Sequence, residues 1–131
     1  MSEENVEIVR RFYEAWARDE SGPIELMHSE IEYVNPPGAV EPGTRRGRAA
    51  FSTAVQGVFD GWESWQVEPE QFRAEGDRVV VVLRYRARGR GSGVEIQGRE
   101  SALWTLRDGK VLRYAWFQRP TDALEAAGLS E

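Results

Sequence analysis

The 131-residue chain has no cysteine, one histidine (His28), one lysine (Lys110) and two methionines. Without cysteine there can be no disulfide, no thiolate nucleophile and no zinc–sulfur site. A single histidine excludes multi-histidine metal centres, so no metal is expected. The longest apolar run, Val-Val-Val-Val-Leu at 79–83, is far too short to cross a bilayer, and no membrane partner is expected. The opening residues, Met-Ser-Glu-Glu-Asn, are acidic and lack the apolar stretch of a signal peptide, so a cytoplasmic location is expected. A net charge of −5 argues against affinity for nucleic acid. No glycine pattern of the kind that cradles nucleotide phosphates occurs, and no cofactor is expected.

What the chain does have is aromatic bulk: five tryptophans, five phenylalanines and four tyrosines. At this length it reads as one domain over 1–131 with enough apolar material for a sizeable core. Val6, Val9, Tyr13 and Trp16 recur at helical spacing, with Phe12 widening the stripe, and Ser21-Gly-Pro ends that helix. Pro23 suits the start of a short second helix through Met27. Residues 30–35 alternate as a strand with Ile31, Tyr33 and Asn35 on one face. A loop rich in glycine, proline and arginine follows over 36–47, then a helix over about 48–60. The remainder reads as an antiparallel meander with strands near 64–74, 78–89, 94–106 and 110–119, and a short helix from Asp122 ends at Gly128. Helices followed by a long meander make an α+β pattern.

Hairpin register assigns faces, because directly opposed residues share one. If the second turn centres on Ser92 and Leu106 opposes Lys110, then Arg84 faces Glu100, Val82 faces Ala102 and Val80 faces Trp104. One surface then carries Val80, Val82, Arg84, Glu100, Ala102, Trp104, Tyr114, Trp116 and Gln118. The other carries Val79, Val81, Leu83, Tyr85, Leu103, Ala115 and Phe117. Both are apolar, which predicts that a second copy of the sheet covers the odd-numbered one in a homodimer.

Arg-Arg-Phe-Tyr-Glu-Ala-Trp (10–16), His-Ser-Glu-Ile-Glu-Tyr-Val-Asn-Pro-Pro-Gly (28–38), Gly-Asp-Arg-Val-Val (76–80) and Trp-Thr-Leu-Arg-Asp-Gly-Lys-Val (104–111) resemble the SnoaL-like branch of the nuclear-transport-factor-2-like fold. The resemblance covers nearly the whole chain. It implies a cone-shaped barrel, a curved mixed but mainly antiparallel sheet wrapped around N-terminal helices, with a deep pocket lined by the concave face and the first helix. It also places the even-numbered surface inside. Such a fold hosts unrelated activities, so function must come from the site.

Relatives of this kind include ketosteroid isomerases, limonene-type epoxide hydrolases and polyketide cyclases. The position that matches the isomerase base is Asn35, an amide that cannot take a proton. The phenol position falls at Phe12, beside Tyr13, and the protonated-acid position near Ala102. Tyr33 and Asn35 match the water-holding pair of the epoxide hydrolases, but Trp116 stands where one acid of their relay should be. Glu100 is the interior carboxylate that remains, as the cyclases' acid or as an acid–arginine pair with Arg84 that orients water.

Glu100, Tyr33 and Asn35 are therefore the catalytic candidates. Phe12, Trp16, Arg84, Trp104, Tyr114, Trp116 and Gln118 are the candidates for binding a small, largely apolar molecule as substrate of an isomerase, cyclase or hydratase. Plain alternatives stand beside each: a structural Glu100–Arg84 pair, Asn35 capping the turn before Pro36, aromatic residues that only pack, and a noncatalytic binding or dimerisation domain. The arginines at 84, 86, 88 and 90 alternate along one strand, either as a solvated strand end or as attraction for an acidic ligand. His28 reads as a turn or cap residue.

Overall fold

The computed structural model describes residues 2–129. The first helix, α1 (Ser2–Trp16), carries Glu3 and Glu4 in its first turn, where carboxylates complement the helix dipole. It buries Val9, Phe12, Tyr13 and Trp16. A one-turn 3-10 segment (Ile24–Leu26) leads into β1 (Met27–Asn35), so the expected second helix is shorter and the strand starts earlier than the pattern suggested. The expected loop contains a further short strand, β2 (Gly43–Arg46), before α2 (Arg48–Gly61). The meander follows as β3 (Ser64–Glu75), β4 (Arg78–Arg88), β5 (Glu95–Arg107) and β6 (Lys110–Phe117), and α3 (Asp122–Ala126) ends the described chain.

The six strands form one sheet in the order β2-β1-β6-β5-β4-β3. Only the β1–β6 pairing is parallel, so the sheet is mixed and mainly antiparallel, as expected. It remains open, with β2 and β3 as edges, and register shifts fall between Met27 and Glu32, between Pro69 and Gln71, and between Thr105 and Leu106. Bulges bend strands and increase twist. This α+β cone has α1 and α2 packed on its inner face.

Two turns correct the face assignment. The β4–β5 ladder runs out to Arg88 opposite Glu95, and residues 89–94 form the connection. Gly91 and Gly93 both take positive φ (75° and 69°), and the Gly89 N–H donates to the Val94 carbonyl at 2.8 Å. An even-numbered connection replaces the expected three-residue turn and shifts the register by one, which turns every β4 side chain over. Val79, Val81 and Leu83 therefore face the core, with Val79 opposite Trp104, Val81 opposite Ala102 and Leu83 opposite Glu100. Val80, Val82 and Arg84 point outward instead.

The β5–β6 turn is also tighter than expected. Asp108 and Gly109 both have positive φ (53° and 77°) between Arg107 and Lys110, as a two-residue hairpin requires. The bulge at Thr105/Leu106 then restores parity, so Trp104 opposes Tyr114 and Ala102 opposes Trp116. The inward residues of β5 and β6 are the expected ones, displaced by two along the partner strand.

The outer face is covered in part by α3. Val80, Ala123 and Ala127 form a second cluster with Leu103, Phe117, Leu124 and Leu129. Ser101, fully buried on that face, donates its hydroxyl to the Arg119 carbonyl at 2.6 Å and accepts the Ala123 N–H at 3.0 Å. The chain's own C-terminal helix thus takes up apolar surface that the sequence pattern assigned to a second copy.

Candidate functional site

The core centres on Trp104, which is 0% exposed. Its ring lies 4.6 Å from Tyr114, 5.3 Å from Phe12 and 5.5 Å from both Tyr13 and Trp16. Tyr33 adds contacts to Tyr114 at 5.2 Å and Phe51 at 5.6 Å. Edge-on and tilted arrangements dominate, as ring quadrupoles prefer. Phe12, Trp16, Trp104 and Tyr114, expected as the walls of a cavity, therefore fill the α1 end of the cone by packing on one another.

Glu100 lies on the inner face at the border of this cluster, buried to 8% exposure. Burial alone raises its carboxyl from 4.5 to about 7, because no cation faces it. It lacks a hydrogen-bond or ion-pair partner among the described residues, yet no unpaired side-chain oxygen there is sealed from the surroundings. The same holds for the hydroxyls of Tyr33 and Tyr114, residues more deeply buried than Glu100.

These phenols are electrically coupled to the carboxyl. Tyr13 is shifted upward, first by burial and also by the Glu100 charge, against the lowering effect of its bond with Trp104. In that bond the indole Nε1–H donates to the Tyr13 hydroxyl oxygen at 3.1 Å. Tyr33 is raised by burial and by Glu100, while the Arg45 guanidinium pulls it back. Tyr114 is raised by burial, then by its neighbours Tyr33, Tyr13 and Glu100. A carboxyl that titrates near neutrality thus lies within electrostatic reach of three neutral phenols, groups that can exchange a proton and donate hydrogen bonds to a developing oxyanion.

The remaining candidates lie elsewhere. Arg84 is on the outer face, opposite Arg99 and Glu68, with an ion pair to Glu70 at 3.1 Å. The expected Glu100–Arg84 pair does not form, because the one-residue register shift puts the two side chains on opposite sides of the sheet. Arg88 pairs outside with Glu63 and Glu95, and Arg90 donates to the Asp60 carbonyl.

Both ends of the Asn35 side chain are engaged: Nδ2 donates to the Glu41 carbonyl at 2.8 Å, and Oδ1 accepts the Trp116 indole N–H. Asn35 and half-buried Trp116 thereby fasten the segment between β1 and β2 over the open end of the cone. Gln118 is exposed past the end of β6, with its amide against Gly38 of the same segment. His28 accepts the Glu30 backbone N–H on Nδ1, a local turn role.

Sequence reasoning missed Arg45 and placed the inward odd-numbered residues of β4 on the opposite surface. Arg45 opposes Tyr33 across β1–β2 and so shares its face. Reading Gly-Thr-Arg-Arg as a strand returning along Tyr33 would have found it. Further along the inner face Tyr85 stacks on Trp65 at 5.6 Å and 13°, lying over Gly98.

Two surface clefts lie away from Glu100. One of about 850 Å³ is bounded by Glu3, Asn5, the β3–β4 turn and the β5–β6 turn. The other, about 220 Å³, lies between α1 and residues 20–25. Among the described residues no cluster of three potential metal ligands occurs, and no helix is long and apolar enough to cross a membrane.

A family described as a SnoaL-like domain matches residues 9–114. Among solved structures the chain is similar to TerC co-crystallised with polyporic acid (25% identity, 93% of this chain and 96% of that one, TM-score 0.79). It is also similar to an NTF2-like protein from Burkholderia xenovorans LB400 (27% identity, 96% and 97% covered, TM-score 0.75). A SnoaL-like polyketide cyclase from Jannaschia sp. CCS1 shares the fold at 22% identity (99% and 95% covered, TM-score 0.78). No curated protein matches the chain.

Proposed function

The chain belongs to the SnoaL-like domain family, and from that premise we propose that it binds a small, largely apolar ring compound at the Glu100 end of the cone and moves a proton on it without a cofactor. The observation that carries this is Glu100 itself: a buried carboxyl near 7 with no cation beside it, whose charge three phenols feel. A carboxyl whose pKa is raised by burial and which no cation pairs is a candidate for proton transfer. Co-crystallisation of polyporic acid with TerC supports an organic ligand for this fold.

In the proposed step the Glu100 carboxylate takes a proton from carbon beside a carbonyl. The C–H electron pair moves into the new double bond, and the carbonyl oxygen becomes an enolate. Hydroxyl donors from Tyr33 or Tyr114 stabilise that oxygen. Return of the proton to another carbon gives isomerisation; attack by the enolate carbon on a second carbonyl, whose oxygen takes the proton back from Glu100, gives ring closure. Water addition, the hydratase option, lacks the expected water-holding pair, since Asn35 is committed to Trp116 and Glu41.

The test begins with mass spectrometry of small molecules carried through native purification, followed by turnover assays on the compound found. Glu100→Gln should lower turnover by about 10²–10⁴-fold, with affinity changed only a few-fold. Unchanged turnover removes Glu100 from catalysis. A second reading, a noncatalytic binding domain, is favoured by the dense ring packing around Trp104, and would show a bound compound that the protein leaves unaltered. A homodimer through the sheet would use the outer face that α3 leaves open, where Arg84, Arg99 and Glu70 form a charged cluster; light scattering at micromolar concentration tests it.

A further inference from the structure

The geometry points to Arg45 as the recognition point for an anionic oxygen on the ligand, which narrows the substrate class to small ring compounds bearing a carboxylate or an acidic enol. This rests on the interior site proposed above.

Arg45 stands directly across from Tyr33 on the inner side of β2, and its side chain is 30% exposed. Its neighbour Arg46 points the other way, 69% exposed and paired with Glu32. The arginines that the strand pattern offered for an acidic ligand lie on the outer face or in the β4–β5 connection. Arg45 is the guanidinium set beside Tyr33 of the phenol cluster, and Tyr33 feels the charge of both Glu100 and Arg45.

The guanidinium is held lightly. Among the described residues it makes two hydrogen bonds, from Nη1 to the Glu41 carbonyl at 3.2 Å and from Nη2 to the Glu41 carboxylate at 2.9 Å. A guanidinium has five N–H donors in a planar fork, so most of the fork is free for a second oxygen pair. Its carboxylate partner is 78% exposed, and ion pairs of that kind contribute about 1 kcal/mol or less. A ligand anion can therefore take the place of the Glu41 carboxylate at small cost. The Glu41 backbone would stay in position, because Asn35 also holds its carbonyl.

The charge balance fits. Below about 7 Glu100 holds its proton and does not repel an incoming anion. Arg45 then supplies a positive complement on the same inner face, with Tyr33 on the adjacent strand as a neutral donor.

The test uses a shape-matched probe pair, 2-naphthoate and 2-naphthamide, titrated calorimetrically at about pH 6, below the Glu100 transition near 7. The protein should bind the carboxylate about tenfold more tightly than the amide, the scale of a charge-assisted hydrogen bond. Arg45→Gln should abolish that preference and leave amide affinity within a few-fold. Arg45→Lys, which keeps the charge and loses the fork, should fall between them. Glu41→Gln should tighten carboxylate binding by freeing the guanidinium, and Arg84→Gln on the outer face should change nothing. Equal affinity for the two probes, or a preference that survives Arg45→Gln, overturns the role of Arg45 while amide binding still upholds the interior site. Failure of both probes to bind overturns the interior site and this inference with it.

Discussion

Glu100 stands directly across the β4–β5 ladder from Leu83. An aliphatic neighbour gives the carboxyl no counter-charge, and the arginine next in sequence, Arg84, is on the far side of the sheet with Glu70. The carboxyl is therefore shifted by burial alone, without the opposing pull of a cation. A paired carboxylate would be locked in its ionised form; this one changes protonation near neutrality, which suits a group that takes and returns a proton.

That shift makes stability depend on pH with a defined sign. The unfolded chain releases this proton near the ordinary 4.5, and the folded protein holds it to about 7. Between those values the folded state binds more protons, so stability falls as pH rises through the window and levels off above it. The contribution is about 3 kcal/mol at most. Glu100→Gln should remove this slope and be more stable than the parent above about 7. Urea midpoints of the two proteins at mildly acid and mildly alkaline pH check it; an unchanged difference between them contradicts the burial account.

Trp104→Phe should destabilise the core by about 2–4 kcal/mol, from lost ring volume and from the Tyr13 hydroxyl left without its indole donor. Adding Tyr13→Phe should restore part of the loss, because the hydroxyl stranded by the first change is then gone. A double-mutant cycle in urea measures the coupling, and strictly additive costs would show that the bond contributes nothing.

Ser101→Ala removes both the hydroxyl donor to Arg119 and the acceptor for the Ala123 N–H. The expected cost is about 1–3 kcal/mol, concentrated in α3. Hydrogen exchange should speed up over Asp122–Ala127, while the central strands keep their protection. Uniform loss of protection would mean that α3 is integral to the global folding unit.

Gly98→Ala tests the aromatic pair at the β3–β4 end of the inner face. A methyl group there would lie 2.8 Å from the Tyr85 hydroxyl oxygen and 3.0 Å from its ring carbon, so the ring must move off Gly98. Because Tyr85 is stacked on Trp65, the near-ultraviolet circular dichroism should change more than the unfolding midpoint. An unaltered spectrum would show that the ring has room to give.

Several elements were legible because their signals are local. The apolar spacing of Val9, Phe12, Tyr13 and Trp16 marked the buried stripe of α1, and the glycine-containing turns marked the ends of the long strands. β2 was hidden by its glycine, proline and arginine-rich surroundings, since a four-residue edge strand takes its order from β1 and has little signal of its own. The site was legible in part: Glu100, Trp104 and Tyr114 were placed on the inner face by parity that the β5–β6 bulge happened to preserve. Arg84 was misplaced because the number of residues in the β4–β5 connection, which sets every facing on β4, depends on how Gly91 and Gly93 are used.

By itself the sequence determined the exclusion of thiol and multi-histidine chemistry, the α+β class and the supply of aromatic side chains, since these follow from composition and short-range periodicity. The tertiary structure decided the rest: that the rings fill one end of the cone, that α3 covers part of the outer face, and that Glu100 is left with phenols and no cation. Those outcomes depend on strand register, and a register is a relation between distant segments, set by turns and bulges, in which one residue more or less exchanges the inside of a strand for its outside.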